Sequence, residues 1–263
     1  MSYEDIIYEK KEGIGTIVIN RPDVYNAFRQ KTLYEMIHAL TDAWNDRECG
    51  VVVITGAGNK AFCTGGDQRE KKEPSPGAEN FLPLGTYVAQ LHYMIRNIPK
   101  PVIAAVNGYA IGGGNVLHVV CDITIASEDA RFGQVGPKVG SVDAGMGTAY
   151  LSRIIGEKKA REMWFLCRQY SAEEAFEMGL VNKVVPHEKL MEEAEAWARE
   201  MLIKSPTALK LAKYSFNADS DNIYGISRMG LTSLELFHTT DEAMEGIDSF
   251  LEKRIPDFTK FRK

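Results

Sequence analysis

Residues 100–126 read KPVIAAVNGYAIGGGNVLHVVCDITIA, and this stretch decides the fold. Pro99 and Pro101 end whatever precedes it. Val102–Val106 is then a continuous apolar run, the pattern of a strand buried on both faces. Gly112, Gly113 and Gly114 open a helix predicted over 112–120, and 123–126 is a further strand. Strand, glycine turn, helix and strand in succession is the pattern of an α/β protein.

The same alternation extends outward. Residues 14–20 (IGTIVIN) read as a β-branched strand, broken by Arg21-Pro22-Asp23. A helix is predicted over Gln30–Asn45, with Leu33, Met36, Ile37 and Leu40 on one face. Residues 51–55 form another apolar strand, 56–67 a glycine-rich connection, and 70–77, charged and holding two prolines, a mobile loop. Leu84–Asn97 is predicted helical. After Tyr150 helices dominate, at 149–155, Glu157–Leu166, 172–178 and 188–204. Ser205-Pro206-Thr207 starts another, with proline where its missing N–H is harmless. Residues 231–253 again read as helices.

Composition excludes several classes of function. The net charge of −5 argues against a general nucleic-acid footprint. No apolar run reaches the roughly 18 residues that span a bilayer. The start, MSYEDIIYEK, lacks the basic and apolar regions of a signal peptide. These features predict a cytoplasmic protein with no membrane or nucleic-acid partner. Cys49, Cys63, Cys121 and Cys167 have neither CxxC nor zinc spacing and are expected as buried, reduced thiols. His38, His92, His118 and His187 lack ligand spacing, so no metal is expected.

Two segments carry the chemistry, Phe62-Cys63-Thr64-Gly65-Gly66-Asp67-Gln68 and residues 108–115, GYAIGGGN. Each follows an apolar strand and contains consecutive glycines. Either alone could be a tight turn. Neither fits GxGxxG or GxxxxGK[ST], so neither is a nucleotide fingerprint. Glycine also lets an amide N–H approach a ligand oxygen closely, and two converging N–H groups would suit a developing oxyanion.

In order and spacing, NRPDVYNAF, AFCTGGDQ, the 100–126 stretch, FGQVGPKVGSVDAG, SAEEAFEMGLVNKVV and SPTALKLAK resemble the crotonase superfamily. The resemblance implies a spiral of ββα units over residues 1–200 and a C-terminal helical trimerisation region over 201–263. It implies an acyl-CoA substrate and a homotrimer or dimer of trimers. Coenzyme A enters as part of the substrate, and no separate cofactor is implied. Matching motifs place the oxyanion donors on Gly66 and Gly113. They place Ala27, Phe28 and Ala61 along the CoA arm. Thr64, Gly65, Asp67 and Gln68 of the first turn join them, as do Tyr109 and Gly112 of the second. Lys253, in EKRIPDF, matches a CoA-contacting lysine of the family.

What is missing narrows the reaction. Family members that hydrate enoyl-CoA carry two glutamates, at the positions that here hold Val116 and Gly136. Valine and glycine cannot transfer protons. GGDQ, GQVGPKVGSVDAG and WFLCRQY resemble a narrower branch of ring-closing dihydroxynaphthoyl-CoA synthases and ring-opening 2-ketocyclohexanecarboxyl-CoA hydrolases. That resemblance makes Asp143 the acid–base candidate, with Ser141 orienting a carbonyl or a water. Bicarbonate-using synthases carry threonine where this chain has Val135, which cannot hold bicarbonate through a hydroxyl. A C-terminal synthase tyrosine corresponds to His238, which is either an interface residue or an active-site group titrating near neutrality. The expected activity is hydrolysis of a ring C–C bond in a cyclic β-oxoacyl-CoA. The alternatives are the synthase reaction and an inactive acyl-CoA-binding protein.

Overall fold

The computed structural model describes residues 2–74, 76–142, 145–220 and 222–262, and of Lys71 the backbone alone. Asp143, the acid–base candidate, lies outside the described residues. Ten strands and eleven α-helices are described, in two sheets. The larger sheet is built from β1 (Ile6–Lys11), β2 (Ile14–Ile19), β3 (Val51–Gly56), β5 (Val102–Val106), β7 (Ile123–Ser127) and β10 (Lys183–Val185), in that spatial order. The β1–β2 pair is antiparallel and every other neighbouring pair is parallel. The smaller sheet is built from β4 (Ala61–Cys63), β6 (Tyr109–Ile111), β8 (Arg131–Gly133) and β9 (Gln169–Ser171). The chain thus gives β3, β5 and β7 to one sheet and β4, β6 and β8 to the other. This is the expected crotonase architecture.

Alternation along each strand explains why the central runs are apolar throughout. Val51, Val53, Ile103, Ala105 and Ile125 face α8 (Leu190–Leu202), meeting its Ala194 and Ala198. The intervening Val52, Ile54, Ala104, Val106 and Ala126 face the main core. There they meet α1 (Gln30–Asn45) through Leu33, Met36 and Leu40, and α3 (Leu84–Asn97) through Leu91 and Ile95.

Expectation and structure part company in several places. Within 70–77, expected as a mobile loop, residues 70–72 belong to α2 (Gln68–Lys72), and the described residues from there to the turn at Ala78–Asn80 are neither helix nor strand. Asp67 caps α2 by accepting the Arg69 N–H at 3.1 Å, and Lys72 pairs with Asp248 at 2.5 Å. The charges read as loop-forming are held by tertiary partners. α4 (Gly113–Val119) opens where the glycine triplet predicts. The helix expected from 149 starts as a π-helical turn over Met146–Tyr150 before α5 (Leu151–Ile155) and α6 (Glu157–Leu166). Cys167, expected buried, is half-buried at a left-handed helix end, while the other three cysteines are buried; all four are free thiols.

After α7 (Ala172–Glu177) and α8 come α9 (Pro206–Ser220), α10 (Ile223–Phe237) and α11 (Asp241–Leu251). Buried Lys213 fixes α9 to the core. Its ammonium donates to the carbonyls of Ile95 and Lys100 and pairs with Asp122 at 2.7 Å. Arg96 donates to the Ser220 hydroxyl at 2.7 Å. These bonds set the point from which α10 crosses back over α3.

Candidate active site

The two glycine turns meet in space. Phe28 donates its N–H to the Gly65 carbonyl at 2.8 Å and accepts the Asp67 N–H at 2.9 Å, which makes a parallel bridge to Gly66. In a parallel bridge the residue between the two bonded positions turns its own amide away. The Gly66 N–H therefore faces away from Phe28. The second turn is pinned by the Gly112 N–H, which donates to the Gly133 carbonyl at 2.9 Å. A Cβ at Gly65 would fall 2.9 Å from the Gly113 nitrogen, so the turns are in backbone contact. Gly65 has φ of +85°, a conformation that favours glycine. A Cβ at Gly114 would lie 1.8 Å from the Cys63 carbonyl, so α4 seats directly on β4. Among the described residues neither the Gly66 nor the Gly113 N–H has a backbone acceptor.

A buried charge network sets the first turn in place. Arg21 donates to the Ala27 carbonyl, pairs with Asp67 at 3.1 Å and lies 3.7 Å from Asp5. Asn26, fully buried in the left-handed region, donates to the carbonyls of Ala57 and Ala61 at 3.0 and 2.7 Å. Asparagine tolerates that conformation better than most residues. Beneath the turn, burial pushes the Cys63 thiol up to about 12, so it stays protonated and is no nucleophile.

A cavity of about 80 Å³ opens at this junction. Gly66, Gly113 and Phe28 form one wall, and Ser141 and Val142 another. Leu84, Val88 and His92 come from α3. Leu231, Leu234 and His238 come from α10 and its end. The structure thus brings together five residues named from sequence, Phe28, Gly66, Gly113, Ser141 and His238. His238 reaches the cavity from the same chain. α11 supports the Ser141 turn from behind, since a Cβ at Gly246 would fall 2.2 Å from the Gly140 nitrogen.

The residues expected along the CoA arm divide. Phe28 lines the cavity itself. Ala27, Ala61 and Gly65 are buried backbone positions, and Gly112 sits beside them with φ of +58°. The Thr64 hydroxyl donates to the Tyr25 carbonyl at 3.2 Å. The Asp67 carboxylate is engaged by Arg21 and α2. The Gln68 side-chain oxygen is buried with no hydrogen-bond partner among the described residues. Tyr109 is exposed and packs edge-on against Tyr25, ring centres 6.3 Å apart. Lys253 is exposed past the end of α11 and is not part of the cavity.

The family model for enoyl-CoA hydratase/isomerase matches residues 9–261. The chain belongs to that family. Among solved structures it is similar to an enoyl-CoA hydratase from Bacillus anthracis, at 31% identity and TM-score 0.74, with 97% of this chain and 99% of that one covered. It is similar to an enoyl-CoA hydratase from Mycobacterium avium subsp. paratuberculosis K-10, at 26% identity and TM-score 0.85, with 98% and 99% covered. An enoyl-CoA hydratase/isomerase from Pseudoalteromonas atlantica T6c shares the fold at 24% identity and TM-score 0.88, with 97% and 100% covered.

Within the enoyl-CoA hydratase/isomerase family, this chain's two odd positions acquire a structural context. Val116 is wholly buried in the core. At Gly136 a Cβ would fall 2.5 Å from the Ser141 carbonyl, so no side chain fits there without moving the Ser141 turn. Sequence reasoning missed His92, which it weighed only as a metal ligand. Its signal was the spacing Leu84, Val88, His92, which puts one imidazole on an otherwise apolar helix face. Among the described residues no helix is long and apolar enough to cross a membrane, and no cluster of three or more His, Cys, Asp or Glu could hold a metal ion.

Proposed function

We propose that this acyl-CoA enzyme hydrolyses a ring C–C bond in a cyclic β-oxoacyl-CoA. One observation carries the reading. Gly66 and Gly113 line one cavity with Ser141, His92 and His238, while the two hydratase glutamate positions are a core valine and a glycine pressed on backbone. Such a site can stabilise a thioester enolate and lacks the paired carboxylates that add water across a double bond.

The thioester oxygen accepts from Gly66 and Gly113. Asp143, two residues beyond Ser141, takes a proton from water as the water oxygen adds to the ring ketone. Collapse of the adduct breaks the bond to the α-carbon, and its electron pair enters the thioester enolate. Asp143 returns the proton to the α-carbon. The product is an open-chain dicarboxylic acid held as its mono-CoA thioester. Ser141 orients the attacking water, and His238 faces the same space.

The cavity limits the acyl group. An apolar cavity of about 150 Å³ accommodates benzene, so a six-membered ring requires the 80 Å³ here to widen. Exposed apolar side chains on the C-terminal half, among them Phe165, Phe216 and Met229, support assembly as a homotrimer or dimer of trimers.

The test offers 2-oxocyclohexanecarboxyl-CoA, succinylbenzoyl-CoA and a short enoyl-CoA side by side, with products read by mass spectrometry. Ring opening of the first is expected, and bicarbonate should not raise the rate. Ring closure of the second, with saturable activation by bicarbonate, would establish the synthase reaction instead. Hydration of the third would assign the activity in the names of the similar structures.

A further inference from the structure

His92 is the one polar side chain that α3 turns into the cavity. It is 5% exposed and lines the space shared by Gly66, Gly113 and Ser141. Among the described residues no hydrogen bond to either of its ring nitrogens is found, in contrast to buried His118, which bonds Asn115 at 3.1 Å and Thr124 at 3.2 Å. Its ring nitrogens are not sealed off from the cavity, so a ligand there can meet them. Leu84, Val88, Leu231 and Leu234 of the wall are aliphatic, and among the described residues Ser141 and His238 are the other polar side chains that line the space.

We infer that His92 donates a hydrogen bond to the β-oxo oxygen of the acyl group, the second carbonyl of the substrate. This rests on the proposed reaction for its catalytic consequence, though not for the binding it entails. Burial pushes the imidazole down to about 4, so it is neutral near pH 7 and carries one N–H donor. A neutral imidazole is a recognised way to polarise a carbonyl without transferring a proton to it. The two carbonyls of a β-oxoacyl thioester are then held separately, the thioester oxygen by Gly66 and Gly113 and the ketone oxygen by His92. When water adds to the ketone carbon, the ketone oxygen becomes an alkoxide that accepts the same N–H. When the C–C bond breaks, that oxygen returns to a carbonyl. His92 gains and loses no proton, and the proton balance stays with Asp143.

The experiment compares acetoacetyl-CoA with butyryl-CoA, two ligands that differ at the β-oxo group, by calorimetric binding to the intact protein. Wild type is expected to bind acetoacetyl-CoA up to about tenfold tighter, the worth of one hydrogen bond. His92→Leu should erase that difference and leave butyryl-CoA affinity unchanged. His92→Gln, which keeps an N–H donor, should retain most of it. Ring opening in His92→Leu should slow by roughly tenfold or more. Preference for acetoacetyl-CoA that survives His92→Leu, or no preference in wild type, would overturn the inference. Preference lost in His92→Leu, with no cyclic β-oxoacyl-CoA opened by wild type, would sink the ring-opening reading and leave the His92 assignment standing.

Discussion

Gly65→Ala puts one methyl group between the two proposed oxyanion donors, and the structure sets the size of the effect. The new Cβ would start 2.9 Å from the Gly113 nitrogen and 3.3 Å from the Ile111 carbonyl. Neither neighbour is a flexible side-chain tip, so backbone must move. The left-handed φ of +85° adds a cost of about 1–2 kcal/mol for any residue with a Cβ. In a domain of this length that lowers Tm by roughly 2–8 °C, leaving a folded protein. Catalysis should suffer more. Displacing one oxyanion donor costs about 2.7–4 kcal/mol, roughly a hundred- to a thousandfold in kcat. The assay measures kcat on the cyclic β-oxoacyl-CoA, Tm by calorimetry, and butyryl-CoA affinity on one preparation. The expected pattern is a modest fall in Tm, a large fall in kcat and little change in affinity. A folded Gly65→Ala protein with wild-type kcat would refute the placement of the donors.

Two further outcomes are expected. Asp143→Asn keeps volume and polarity but cannot accept a proton, so single-turnover rate should fall on the order of a hundred- to ten-thousandfold with Tm nearly unchanged. A near wild-type rate would move the proton transfer to His238, tested by His238→Gln. Stability should also fall as pH drops from about 6.5 to about 5. An unfolded histidine protonates near pH 6.5, whereas burial pushes His92 down to about 4 and His118 to about 3. Between these values the unfolded chain holds the extra proton, which costs up to about 1.4 kcal/mol per pH unit for each histidine. Asp5 and Glu4, held below the ordinary carboxylate range by their Arg29 and Lys31 partners, stay ionised in that window. Urea midpoints measured across it should decline, and the decline should be shallower in His118→Gln; a flat profile in wild type would contradict the burial of the two rings.

Long periodic segments were the legible part of this fold. Gln30–Asn45, Leu84–Asn97, Val102–Val106 and Glu157–Leu166 stand where the residue pattern puts them, because each buries a face wide enough to impose its period. The three-residue strands β4, β6, β8 and β9 are too short to carry a period, and their pairing is set by the glycine turns between them. α2 escaped because its stability comes from Asp67 and Asp248, one of them distant in sequence. At the site, Gly66, Gly113 and Ser141 were readable from motifs. Arg21 and His92 were not, since the first works through Ala27 and Asp67 and the second faces a cavity that α10 completes.

The central claim is that water enters at a ring ketone and leaves its oxygen on a new carboxylate. Single turnover of 2-oxocyclohexanecarboxyl-CoA in heavy-oxygen water tests it most directly. The account expects a ring-opened mono-CoA thioester with one heavy oxygen in the free carboxylate and none in the thioester carbonyl. Release of free coenzyme A, which would signal simple thioester hydrolysis, label in the thioester carbonyl, which would signal water addition at that carbon, or an intact ring would contradict it.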